Sequence, residues 1–84
     1  MEDQVLDEAP PDLAIRKRLA VNIRRLASEQ GLSITALARK SGASRTQLYN
    51  MQRYRCSPTI ETLYLIAAAL DTDISVLLAP DEPV

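Results

Sequence analysis

The chain has 84 residues, enough for one domain with one modest core, and its 46 % hydrophobic content separates it from disordered chains. With no His and one Cys, it cannot build a His/Cys zinc site, a His-based triad or an intramolecular disulfide. The net charge of −1 hides a segregation: all ten Lys and Arg lie between Arg16 and Arg55 against one acid, Glu29, while the flanks carry only acids. A polyanion meets local charge rather than the average, so a pI near 5.3 does not argue against nucleic-acid binding.

Residues 1–11, MEDQVLDEAPP, are acidic, end in two prolines and read as a flexible arm. Asp12 then suits the N-cap of a first helix over about 12–30, whose stripe is Ile15, Leu19, Ile23 and Leu26. Gly31 stops it. Ser33 caps a second helix, to about Ser41, with Leu37 and Ala38 inward, and Gly42 supplies the next turn. Ser44 opens a third helix, with Gln47 in capping-box position and Leu48 and Met51 as its buried face. RYRCSP, residues 53–58, reads as a loop. Thr59 caps a fourth helix with Leu63, Ile66, Ala67 and Leu70 inward, and Asp73 caps a short fifth, Ile74 to Leu78. The last residues, 80–84, with two prolines and two acids, read as a frayed end, leaving a domain over 12–79. No stretch reaches the roughly 18 consecutive apolar residues of a membrane span, and no signal-peptide pattern opens the chain. The lone thiol and the missing leader point to a cytoplasmic setting without a membrane role.

Residues Ile34 to Arg53 have the spacing of a helix-turn-helix. A small residue, Ala38, stands where two steeply crossing helices approach; Gly42 stands where the turn needs positive φ; Leu48 anchors the second helix so that its other face points out. Together with the strings IRRLASEQGLS, TALARKSGASRTQL, SPTIETLYLIAAAL and DISVLL, this unit resembles the Cro/phage-repressor type of helix-turn-helix regulator, the XRE family, over roughly residues 19–78. The resemblance implies an all-α fold: a compact five-helix helix-turn-helix domain of lambda-repressor-like type, which usually dimerises and sets its third helix in the DNA major groove.

Position by position, it implies a recognition helix of about 44–53. Arg45, Thr46, Gln47 and Asn50 would meet base edges, since Arg pairs bidentately with guanine and Gln or Asn with adenine. Gln47 has an equal alternative as the N3 partner of Ser44 in a capping box. Ser33, Thr35, Ser44, Arg53 and Arg55 would meet phosphates, the first two at a helix N-terminus that favours anions. Arg39 and Lys40 read as a solvated face slightly ahead of a phosphate contact, and Tyr49 as packed on neighbouring aliphatic stems, with a hydrogen bond to a phosphate as the alternative. Four positions depart from the family. Ile34 replaces a Gln that touches phosphate. Ala27 and Gln52 replace an Arg–Glu pair together, so no charge is orphaned. Tyr54 replaces a Gly after the third helix, which suggests a different loop path.

The fourth helix is apolar nearly all round, so its outer side asks for cover; Tyr64, Leu65, Ile74, Val76 and Leu77 are the expected interface, with a second copy as the simplest partner. The leading expectation is a DNA-binding transcriptional regulator that binds double-stranded DNA as a homodimer and needs no cofactor. The alternative is a protein-interaction module, an antitoxin or partner-binding adaptor. No catalytic constellation is visible, and an enzyme is the weakest reading.

Overall fold

The computed structural model describes residues 11–80, with side chains from Leu13 onward; the acidic arm over residues 1–10 and the expected frayed end over 81–84 lie outside the described residues. Five helices follow in order: α1 (Pro11–Glu29), α2 (Ile34–Ser41), α3 (Arg45–Gln52), α4 (Ile60–Ala69) and α5 (Ile74–Leu77). Among the described residues there is no strand, no helix long and apolar enough to cross a membrane, and no acid–Cys cluster able to hold a metal.

α1 packs on α3 and α5, α2 on α3 and α4, and α4 on α5. Their shared core is aliphatic: Ile23, Leu37, Leu48, Met51, Ile66, Leu70 and Leu77 are fully buried, with Leu19, Ala27 and Leu63 around them. Ala20 and Ala27 are buried on α1, whereas Ile15 lies largely at the surface, so the inward stripe begins a turn later than the periodicity suggests. Helix α1 starts at Pro11, which places Asp12 inside the first turn rather than at the cap. Proline tolerates that position because its missing N–H would be unpaired there anyway.

Three N-caps stand where the sequence puts them. The hydroxyls of Ser33, Ser44 and Thr59 accept from the N–H groups of Ala36, Gln47 and Thr62. Asp73 sits at the N-cap of α5 but makes no cap bond; its Oδ2 accepts from Ser75 Oγ at 2.8 Å instead. The α2–α3 turn is held by Gly42 at φ +83, its N–H bonded to the Ala38 carbonyl, and by buried Ser41, whose Oγ accepts from Ala43 N–H at 3.1 Å. A Cβ on Gly42 would meet nothing within 4 Å, so the backbone angle, not crowding, calls for glycine.

Polar ties fasten the ends. Asn22, only 2 % exposed, donates through Nδ2 to the carbonyls of Leu77 (2.8 Å) and Ala79 (2.9 Å), pinning α5 to α1. Gln30 Nε2 donates to the Leu70 carbonyl at 2.7 Å, joining the ends of α1 and α4.

Candidate nucleic-acid interface

Helix α3 has two unlike sides. Leu48 and Met51 are buried in the core. Gln52 faces α1: its Nε2 donates to the Ala20 carbonyl (3.2 Å) and its Oε1 accepts from Arg24 Nε (3.0 Å). Anchored on that side, α3 turns Arg45, Thr46, Tyr49, Asn50 and Arg53 outward around a shallow depression of ≈ 450 Å³. Arg45, Thr46 and Arg53 are exposed and Asn50 is half-buried. Bidentate cations, a hydroxyl and an amide thus converge on one concave patch, the inventory that reads base edges and phosphates.

Gln47 stands apart from that patch. Its N–H donates to Ser44 Oγ (3.2 Å) and its carbonyl accepts from Cys56 Sγ (3.8 Å). The reciprocal side-chain bond of a full capping box is not among the hydrogen bonds of the described residues. Ser44 is exposed as expected, with its oxygen already capping α3. Ser33 caps α2 at a second depression of ≈ 410 Å³, which it shares with Arg24, Ser28, Gly31 and Ile34, while Thr35 is half-buried.

The loop after α3 keeps the path that a glycine would give it. Tyr54 adopts φ +61, its N–H bonds the Met51 carbonyl (3.1 Å), and the Arg55 N–H bonds the Asn50 carbonyl (2.9 Å). This is the paired-bond helix ending usually completed by glycine. The expected change of path is therefore corrected: the backbone tolerates a left-handed tyrosine, at about 1–2 kcal/mol, because neighbours hold it. Arg16 reaches across from α1, donating to the Tyr54 carbonyl (3.4 Å) and to Ser57 Oγ (3.2 Å), and Lys17 Nζ lies 5.8 Å from the Tyr54 ring centre. Arg53 and Arg55 are exposed on either side of this fixed point. Burial pushes the Cys56 thiol above its ordinary range, opposed in part by the Arg16 charge.

Two further side chains shape this face. Tyr49 lines the depression and is 43 % exposed, so packing on the neighbouring arginine stems leaves much of it open. Arg24 braces α3 as well, its charged guanidinium donating to the uncharged Gln52 amide where the family has an Arg–Glu pair.

On α4 and α5, Ile60, Tyr64, Leu65, Ala68 and Val76 are exposed. Leu77 is fully buried and belongs to the core, which removes it from the expected interface; it is the buried residue of the four-residue α5. Ile74 is partly buried against the core.

Residues 23–77 match the helix-turn-helix family HTH_3. The chain is similar to the HTH-type transcriptional regulator SutR of Escherichia coli (strain K12), 31 % identical over 64 residues that cover 76 % of this chain and 36 % of that protein. It thus spans about a third of that relative's length. It is also similar to the uncharacterized HTH-type transcriptional regulator y4dJ of Sinorhizobium fredii (strain NBRC 101917 / NGR234), 35 % identical over 68 residues, covering 81 % of this chain and 88 % of the other. Among solved structures, the hypothetical transcription factor NHTF from Neisseria superposes with TM-score 0.78 at 30 % identity, covering 95 % of this chain and 92 % of that one.

Proposed function

The chain belongs to the HTH_3 helix-turn-helix family, whose relatives here are transcriptional regulators and not enzymes, and we propose that it is a sequence-specific DNA-binding regulator acting as a homodimer on a two-fold-related operator, with α3 in the major groove. The observation that carries the reading is the outward face of α3, where Arg45, Thr46, Asn50 and Arg53 converge on one patch. Arg45 and Asn50 are suited to base edges and Arg53 and Arg55 to flanking phosphates. Ser33 and Thr35, at the start of α2, add N–H groups and a helix dipole for a further phosphate. Half-sites are expected about one helical turn apart, roughly 34 Å.

For the second copy, Ile60, Tyr64 and Ala68 recur along one side of α4 with Leu65 beside them. An apolar stripe of this kind is normally covered, and a two-fold copy is the commonest cover. The interface in this reading comprises Tyr64, Leu65 and Val76, with Ile74 at its edge.

Selection of bound fragments from a random DNA pool tests the proposal. It should enrich a two-fold-related sequence, and Arg45→Ala should flatten one position in each half. Enrichment of nothing would remove the reading. The exposed α4 stripe also supports a second one, a protein-interaction module with DNA binding secondary. A gel shift on genomic DNA at moderate salt, with no retardation until a partner is added, would favour that alternative.

A further inference from the structure

We propose that Tyr49 reads sequence as well, its ring packing against the 5-methyl group of a thymine. The inference rests on the docking of α3 described above and deepens it. On a helix, positions 45, 49 and 53 form one row and 46 and 50 the next, so Tyr49 stands in the middle of the outward face, one turn from Arg45 and Arg53 and beside Asn50. Any approach that brings both Arg45 and Asn50 to base edges carries the ring in with them. The helix cannot roll to turn it away: Leu48 and Met51 are locked in the core, and Gln52 is tied to Ala20 and Arg24. Tyr49 is 43 % exposed and lines the depression beside Arg45, Thr46, Asn50 and Arg53, so a large part of it stays open to a partner even where the arginine stems flank it. A large apolar ring pressed into a groove gains by burying against apolar surface, and the thymine methyl is the apolar group on the major-groove edge.

The test replaces thymine by uracil, which removes only that methyl. The full chain is first used to select its preferred duplex from a random pool. Each thymine of a half-site is then exchanged for uracil in turn, and affinity is measured for wild type, Tyr49→Ala, Tyr49→Phe and Thr46→Ser. At one or two positions the wild type should lose about fourfold per methyl, Tyr49→Ala should lose nothing further, and Tyr49→Phe should keep the wild-type sensitivity. An unchanged melting temperature shows that the variants fold. A Tyr49→Ala protein as sensitive to uracil as wild type, with the sensitivity abolished in Thr46→Ser, would overturn the assignment in favour of the Thr46 methyl. Indifference of the wild type at every thymine would overturn it too. Equal loss by Tyr49→Phe on all sequences would overturn it in favour of a hydroxyl-to-phosphate contact. An Arg45→Ala arm separates the two levels: a changed preference there with none for Tyr49→Ala sinks only the tyrosine proposal, whereas no preference in any protein sinks the docking itself.

Discussion

Asn22 is the polar side chain on which the placement of α5 depends, and its removal gives a sharp stability prediction. It is 2 % exposed and donates to the Leu77 and Ala79 carbonyls at 2.8 and 2.9 Å. In Asn22→Ala the Leu77 carbonyl stays buried without its donor, which costs about 1–3 kcal/mol, while the Ala79 carbonyl is nearer solvent and loses about 0.5–1 kcal/mol. The sum is about 1.5–4 kcal/mol, or a fall in melting temperature of roughly 6–32 °C for a domain of this size. Urea denaturation followed by circular dichroism should show a lower midpoint with an unchanged slope. Because α5 carries Val76, the loosened variant should also associate more weakly. A destabilisation below about 0.5 kcal/mol would refute the reasoning, since it would mean that water or a shifted α5 satisfies both carbonyls at no cost.

The remaining expectations concern the DNA face, its brace and the apolar flank. Arg45→Ala should relax base preference as well as weaken binding, whereas Arg55→Ala should weaken binding to all sequences alike and reduce the slope of log affinity against log salt by about one contact, as fluorescence titrations at several salt concentrations would show. Gln52→Ala removes both ties of α3 to α1 and should cost about 1–2 kcal/mol in thermal or urea unfolding, with a loss of affinity on specific and random DNA together. Tyr54→Gly relieves the left-handed tyrosine but loosens the unfolded chain, so its stability should stay within about 1 kcal/mol of wild type, while Tyr54→Val should be destabilised by about 1–2 kcal/mol, by the same unfolding assay. Leu65→Glu should shift light scattering at micromolar concentration from dimer toward monomer without changing the melting of the isolated fold.

Much of the architecture was written in short-range signals. Ser33, Ser44 and Thr59 each bond the N–H three residues on, and Gly31 and Gly42 adopt positive φ where helices end. These are local chemistries that one sequence reveals. What escaped depends on tertiary context. Tyr54 is a poor residue for its backbone angle and is held there by Arg16, 38 positions away. Leu77 looks like an exposed apolar residue on a short helix, but α1 and α4 close over it. Asp73 has the right type for a cap and spends its carboxylate on Ser75. In the site, the outward placement of Arg45 and Asn50 was legible from the family resemblance together with helix register. The exposure of Tyr49 was not, because a tyrosine on an amphipathic helix packs as readily as it projects, and only the placement of its neighbours decides. The brace from Arg24 through Gln52 was invisible for the same reason, as it joins two helices across 28 residues.

The central claim, that the outward side of α3 enters a duplex groove, is tested most directly by mapping backbone amide resonances as a selected duplex is titrated into the full chain. Perturbations should concentrate at residues 33–35 and 44–55, with α4 from Ile60 to Ala68 unmoved at constant oligomeric state. Shifts centred on α4, or none at the depression around Arg45 and Asn50, would contradict it.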